Sequence, residues 1–121
     1  MRTAAQLADD YIALWNEPDA ASRRALLART WTPGATYADP LMSGAGQEAI
    51  DALVAAVQGR FPGFRFALLG KPDGWGDVAR FSWAFGPEGG EAVVKGTDML
   101  RRDGDKIAAV TGFLDLVPQL A

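Results

Sequence analysis

The sequence predicts a single α+β domain in which helices come first and an antiparallel sheet follows. Three observations predict it. The first half carries apolar residues at helical spacing, whereas the second half is strand after strand with turn chemistry between. The chain has 121 residues, 49 % hydrophobic and 22 % charged, which suits one domain, 1–121, able to bury a core without staples. Helices set apart from a meander exclude a doubly wound α/β sheet, in which the two would alternate. A strongly curved sheet wrapped around the helices would leave a concave pocket between them.

From Thr3 to Asn16, residues Ala4, Leu7, Ala8, Tyr11, Ile12, Leu14 and Trp15 recur at helical spacing, with Thr3 as N-cap and Asp9 and Asp10 on the polar side. Pro18 ends this helix. Asp19 caps a second one through Ala20 to about Arg29, and Pro33-Gly34 reads as a turn. A short strand, Ala35 to Asp39, stops at Pro40. A third helix runs from about Gly46 to Gln58 with Ile50, Leu53, Val54 and Val57 inward. The segments 64–71, 77–86, 91–101 and 106–117 then read as strands. They are separated by Pro72-Asp73-Gly74, Pro87-Glu88-Gly89-Gly90 and Asp103-Gly104-Asp105, all hairpin-turn sequences.

The composition narrows the chemistry. There is no Cys and no His. Disulfides, thiolate nucleophiles and Cys- or His-based metal sites are therefore excluded, as are Ser-His-Asp and Cys-His catalysis within the chain. Any catalysis falls to carboxylates, Tyr, Lys, Ser/Thr or backbone groups; no metal and no cofactor is expected. A net charge of −3 disfavours nucleic acid and anionic membrane surfaces as partners. No apolar run reaches membrane-spanning length, and Met1-Arg2-Thr3 leads straight into a helical pattern, so the expected location is the cytoplasm.

Strand parity singles out Asp98. In the segment 91–101, Val94, Gly96, Asp98 and Leu100 share one face, and Val93, Lys95, Thr97, Met99 and Arg101 share a wetter one. A carboxylate among apolar neighbours must be paired, hydrogen-bonded or protonated. Arg101, a backbone amide or a local twist would satisfy it structurally; a pocket would put it to use. Asp39 shares a face with Ala35 and Tyr37 and stands before Pro40, which fits either a turn-forming Asp-Pro or a carboxylate at a strand end facing the pocket. Tyr11 lies on the inward face of the first helix, as a core residue or as a polar handle in a cavity. Trp15, Trp31, Tyr37, Phe81, Trp83, Phe85 and Phe113 are the candidate lining of an apolar small-molecule pocket.

Several stretches carry a family resemblance: Tyr-Ile-Ala-Leu-Trp-Asn at 11–16, TWTPGATYADP at 30–40, GQEAID at 46–51 and GTDMLRRDGDKIAAVTGFLD at 96–115. Together they resemble a nuclear transport factor 2-like or SnoaL-like domain, over nearly the whole chain. The resemblance implies a cone-shaped barrel of curved, mostly antiparallel sheet around three N-terminal helices, a fold that hosts enzymes and non-enzymes alike. Ketosteroid isomerases give the nearest chemical template. By that resemblance Asp39 is the general base, and Tyr11 and a neutral Asp98 donate hydrogen bonds to an enolate oxygen. It also implies a homodimer formed through the outer sheet face, where Val93, Thr97, Met99, Ala109 and Thr111 would lie. The chain departs from its relatives in three ways. Val54 stands where the isomerases place a second Tyr, and the cyclases' His is missing. The Arg and Asp that related epoxide hydrolases set two residues apart on one strand are missing too, because Gly96 and Leu100 flank Asp98.

Two functions fit. One is an isomerase- or cyclase-like catalyst of proton transfer next to the carbonyl of a small hydrophobic molecule. The other is a non-catalytic module that binds an apolar ligand or serves dimerisation.

Overall fold

In the computed structural model, which describes residues 1–118, helix α1 (Ala4–Asn16) and helix α2 (Ala20–Thr30) lead into strand β1 (Trp31–Ala38) and the short β2 (Ser43–Ala45). Helix α3 (Gln47–Arg60) follows. Strands β3 (Phe64–Trp75), β4 (Val78–Pro87), β5 (Val94–Asp103) and β6 (Lys106–Leu116) come next. The strands form one sheet in the order β2-β1-β6-β5-β4-β3. All pairs are antiparallel except β1 with β6. The fold is the α+β cone expected, with a curved sheet that remains open at β2 and β3 rather than closing.

Helix α1 starts at a capping box. The Thr3 hydroxyl accepts from the Gln6 amide, and the Gln6 side chain accepts from the Thr3 amide. Its inner stripe of Leu7, Ala8, Tyr11, Leu14 and Trp15 is buried. The helix end is pinned to β3, where the Asn16 side chain donates to the Phe66 carbonyl and accepts from the Phe66 amide. That two-way tether fixes how far Tyr11 and Trp15 reach beneath the sheet. Gln58 of α3 donates to the carbonyls of Trp15 and Glu17, and Arg23 of α2 bonds Asp51 of α3. These polar ties hold the three helices in one arrangement.

The element boundaries differ from expectation in informative places. Strand β1 begins at Trp31, and Pro33-Gly34 lies within it, because a register shift against β6 between Trp31 and Thr36 absorbs both residues. Pro72-Asp73-Gly74 is also strand. Gly70, at φ 68°, starts a bulge between Leu69 and Asp73, and the chain reverses at Gly76, φ 59°, instead. Glu91 to Val93 precede β5 rather than belonging to it, and β2 is an addition to the expected order.

Candidate active site

Asp39 directly follows β1, and Pro40 after it keeps the strand from going further. The chain then folds back on itself. The Asp39 amide donates to the Met42 carbonyl, and Asp39 Oδ1 accepts from the amides of Leu41 (2.7 Å) and Met42 (2.9 Å). This is the local turn that an Asp-Pro sequence favours. The other oxygen, Oδ2, accepts from the Tyr37 hydroxyl at 2.6 Å. Asp39 is half-buried and lines a cavity, so the turn role and the cavity role coexist in one residue.

Asp98 is 1 % exposed. It pairs with Phe81 of β4 and Gly112 of β6, in the middle of three strands. Neither of its oxygens has a hydrogen-bond partner at ordinary geometry among the described residues. Arg101, the partner the sequence offered, points away on the opposite face and is exposed. Burial pushes the Asp98 carboxyl up to about 6; the Tyr11 hydroxyl and Trp83 indole N–H turned toward it oppose that rise, while the charges of Asp39 and Asp115 add to it.

Gly112 explains how two carboxylates come together. A Cβ at this position would stand 2.8 Å from Asp98 Oδ1 and 3.2 Å from the Asp39 Cβ. Only a residue without a side chain leaves both acids room against the same patch of β6. Tyr11 completes the group from below. Its hydroxyl is held well above the usual tyrosine range, first by burial and then by the proximity of Tyr37 and Asp98. Burial and the Asp39 hydrogen bond raise Tyr37 in the same direction. Two acids and two phenols thus form a single polar cluster, Asp39–Tyr37–Tyr11–Asp98, in an otherwise aromatic interior.

The cavity beside this cluster measures about 130 Å³. Tyr11, Trp15, Tyr37, Asp39, Trp83 and Phe85 line it, together with Leu41, Met42, Val57, Phe61, Phe66, Val94 and Leu114. Asp98 lies behind the wall rather than in it, reaching the cavity through Tyr11 and Trp83. Trp31 and Phe81 are buried deeper and pack on the far side of the Tyr11 ring, with centroids 6.0 and 4.9 Å away. Phe113 is on the other face of the sheet, 54 % exposed. The bulge that buries both Ile107 and Ala108 sets the parity of β6, so that Val110 and Gly112 point inward and Thr111 and Phe113 outward. The sequence reasoning overlooked Phe66, although the alternation Phe64, Phe66, Leu68 carries the signal. It also overlooked Gly112, visible only once β5 and β6 are paired. Among the described residues no cluster of three or more acidic side chains is arranged to hold a metal, and no helix is long and apolar enough to cross a membrane.

Comparison with known proteins places this architecture. The SnoaL-like domain family matches residues 8–110, which is most of the chain. The chain belongs to the SnoaL-like domain family. A presumed isomerase of that family from Agrobacterium tumefaciens has a structure that superposes with a TM-score of 0.88 at 42 % identity, covering 93 % of this chain and 97 % of the other. A presumed SnoaL-like polyketide cyclase from Jannaschia sp. shares the fold at 18 % identity, TM-score 0.70, covering 95 % and 90 % of the two chains. So does a hypothetical protein with a ketosteroid isomerase-like fold from Catenulispora acidiphila, solved with trimethylamine, at 17 % identity, TM-score 0.73, with 91 % and 85 % covered. No curated protein matches significantly. The SnoaL-like fold of the chain is therefore shared with proteins described as isomerases and cyclases.

Proposed function

We propose that this SnoaL-like domain catalyses proton transfer next to the carbonyl of a small hydrophobic compound. The observation that carries the reading is the contrast between two acids meeting at Gly112. Asp39 is held in the cavity wall by three hydrogen bonds, while Asp98 is sealed in apolar surroundings that favour its protonated form. Neighbouring acids in opposed environments suit a base and an acid of one reaction. Asp39 takes the proton from the carbon beside the carbonyl, and the C–H electron pair moves into the enolate. Tyr11 donates to the enolate oxygen. Asp98, while protonated, donates to the Tyr11 oxygen and leaves the Tyr11 proton free to point at the substrate. Asp39 then returns its proton to the product carbon. A cavity of about 130 Å³ is well below the roughly 300–1,000 Å³ of pockets for drug-sized ligands, so the substrate is closer to one small ring than to a steroid.

The test is exchange of α-protons in a panel of small unsaturated ketones, followed by NMR in deuterated buffer. The expected result is exchange above buffer that falls roughly 10²–10⁴-fold in Asp39→Asn, the usual worth of a positioned base. Exchange that survives unchanged in that variant refutes the assignment. The second reading, a non-catalytic apolar-ligand module, draws support from the almost wholly aromatic and aliphatic lining. It predicts ligand-induced quenching of Trp15 and Trp83 fluorescence without any exchange.

A further inference from the structure

Tyr37 forms the shortest of the hydrogen bonds that Asp39 accepts, and the enolisation scheme does not use it. Its ring is almost fully buried and packs against Trp15 at 5.4 Å between centroids. An ionised carboxylate offers about four acceptor sites, two on each oxygen. On Asp39 Oδ1, both are taken by the Leu41 and Met42 amides. On Oδ2, one is taken by the Tyr37 hydroxyl. Among the described residues one site is left unfilled, on a carboxylate that lines the cavity. We infer that Tyr37 is a positioning residue that clamps the Asp39 carboxylate and leaves it a single open acceptor site, on Oδ2, through which every proton exchanged with a ligand must pass.

The inference rests on the reading of Asp39 as the base, but its physical content is separable. Removing the Tyr37 hydroxyl takes away the only side-chain donor on Asp39 Oδ2 among the described residues, which frees that oxygen to turn from its present direction. The groups facing Asp39 are few. Tyr37 is on its own strand, Tyr11 rises from α1 beside Tyr37, and Asp98 acts from β5. Helix α3 presents Val57, and β6 presents Gly112 and Leu114, none of which titrates. Among the described residues no Lys or Arg lines the cavity. Among the same residues the Tyr37 hydroxyl is thus the one side-chain donor on Asp39.

The experiment compares the full-length protein with Tyr37→Phe, which keeps the ring and its packing on Trp15. Carbon-13 NMR of labelled aspartate carboxyls at one neutral pH follows the Asp39 resonance, assigned by its disappearance in Asp39→Asn. That resonance should move in Tyr37→Phe, because one of the three donors on its oxygens is gone. Where ketone exchange is measurable, kcat should fall roughly tenfold with KM held within a factor of about two, because the substrate still binds but meets a misaligned base. An Asp39 resonance that is the same in both proteins overturns the inference. So does a kcat that is unchanged in Tyr37→Phe. A protein inert toward every ketone brings down the enolisation reading, and the carboxyl resonance then decides the Tyr37 clamp on its own.

Discussion

Asp98→Asn should stabilise the protein at neutral pH and do little in acid. The side chain keeps its shape but loses its charge. In the unfolded chain the Asp98 carboxyl releases its proton near 3.8, whereas in the folded protein burial holds it to about 6. Between those values the folded state binds more protons, so the contribution of Asp98 to stability is complete below about pH 4 and is lost as pH rises through about 6. A rise of about two pH units, at about 1.4 kcal/mol each, comes to about 3 kcal/mol of strain carried by the ionised carboxylate at pH 7 and above. The near-complete burial of Asp98 means that solvent does little to screen this cost. Urea denaturation of wild type and Asp98→Asn across pH 3.5 to 8 measures the difference directly. The stability gap between variant and wild type should widen by about 3 kcal/mol between the acid and neutral ends, and the melting temperatures should separate by roughly 10 °C. Other carboxylates titrate in both proteins and largely cancel. A gap of the same size at both ends would refute the reasoning, because it would mean that the native carboxylate is solvated or paired.

The proposed role of Asp98 behind Tyr11 predicts that exchange activity falls as pH rises through about 6, since an ionised Asp98 draws the Tyr11 proton inward. Asp98→Asn, which keeps a donor behind Tyr11 at every pH, should flatten that limb in a pH–rate profile. Gly112→Ala should lose about 1–3 kcal/mol in urea denaturation and disturb both acids, because its methyl group would crowd Asp98 Oδ1 and the Asp39 Cβ. We also propose that the outer sheet face, where Met99 and Phe113 are about half exposed, closes against a second copy of the chain. Light scattering should give twice the chain mass for wild type and the chain mass for Phe113→Lys.

Much of the candidate site was legible because parity and helical spacing are local properties. Val94, Gly96, Asp98 and Leu100 all face inward, because β5 runs unbroken against β4 over those residues. Tyr11 and Trp15 were readable from one helix and its cap. Phe113 was misplaced although parity was enough to place it: Thr111 and Phe113 lie two residues apart on an unbroken stretch of β6, so a Thr111 on the outer face puts Phe113 there too. Pro33-Gly34 and Pro72-Asp73-Gly74 carry turn residues, yet bulges against β6 and β4 retain them in strands. Local preference yields there to the ladder on either side.

What no local pattern could supply is the meeting of elements distant in sequence. Asp39 and Asp98 are brought together by the parallel pairing of β1 with β6 and the antiparallel pairing of β6 with β5. Gly112 is the residue common to both pairings' consequences: it faces Asp98 across one ladder, and the Asp39 side chain closes over it from the other. A bulkier residue there would leave each acid individually tolerable, one as a turn former and the other as a buried side chain, but would push them apart. The chemistry proposed for this domain therefore depends as much on a missing side chain as on the four polar ones around it.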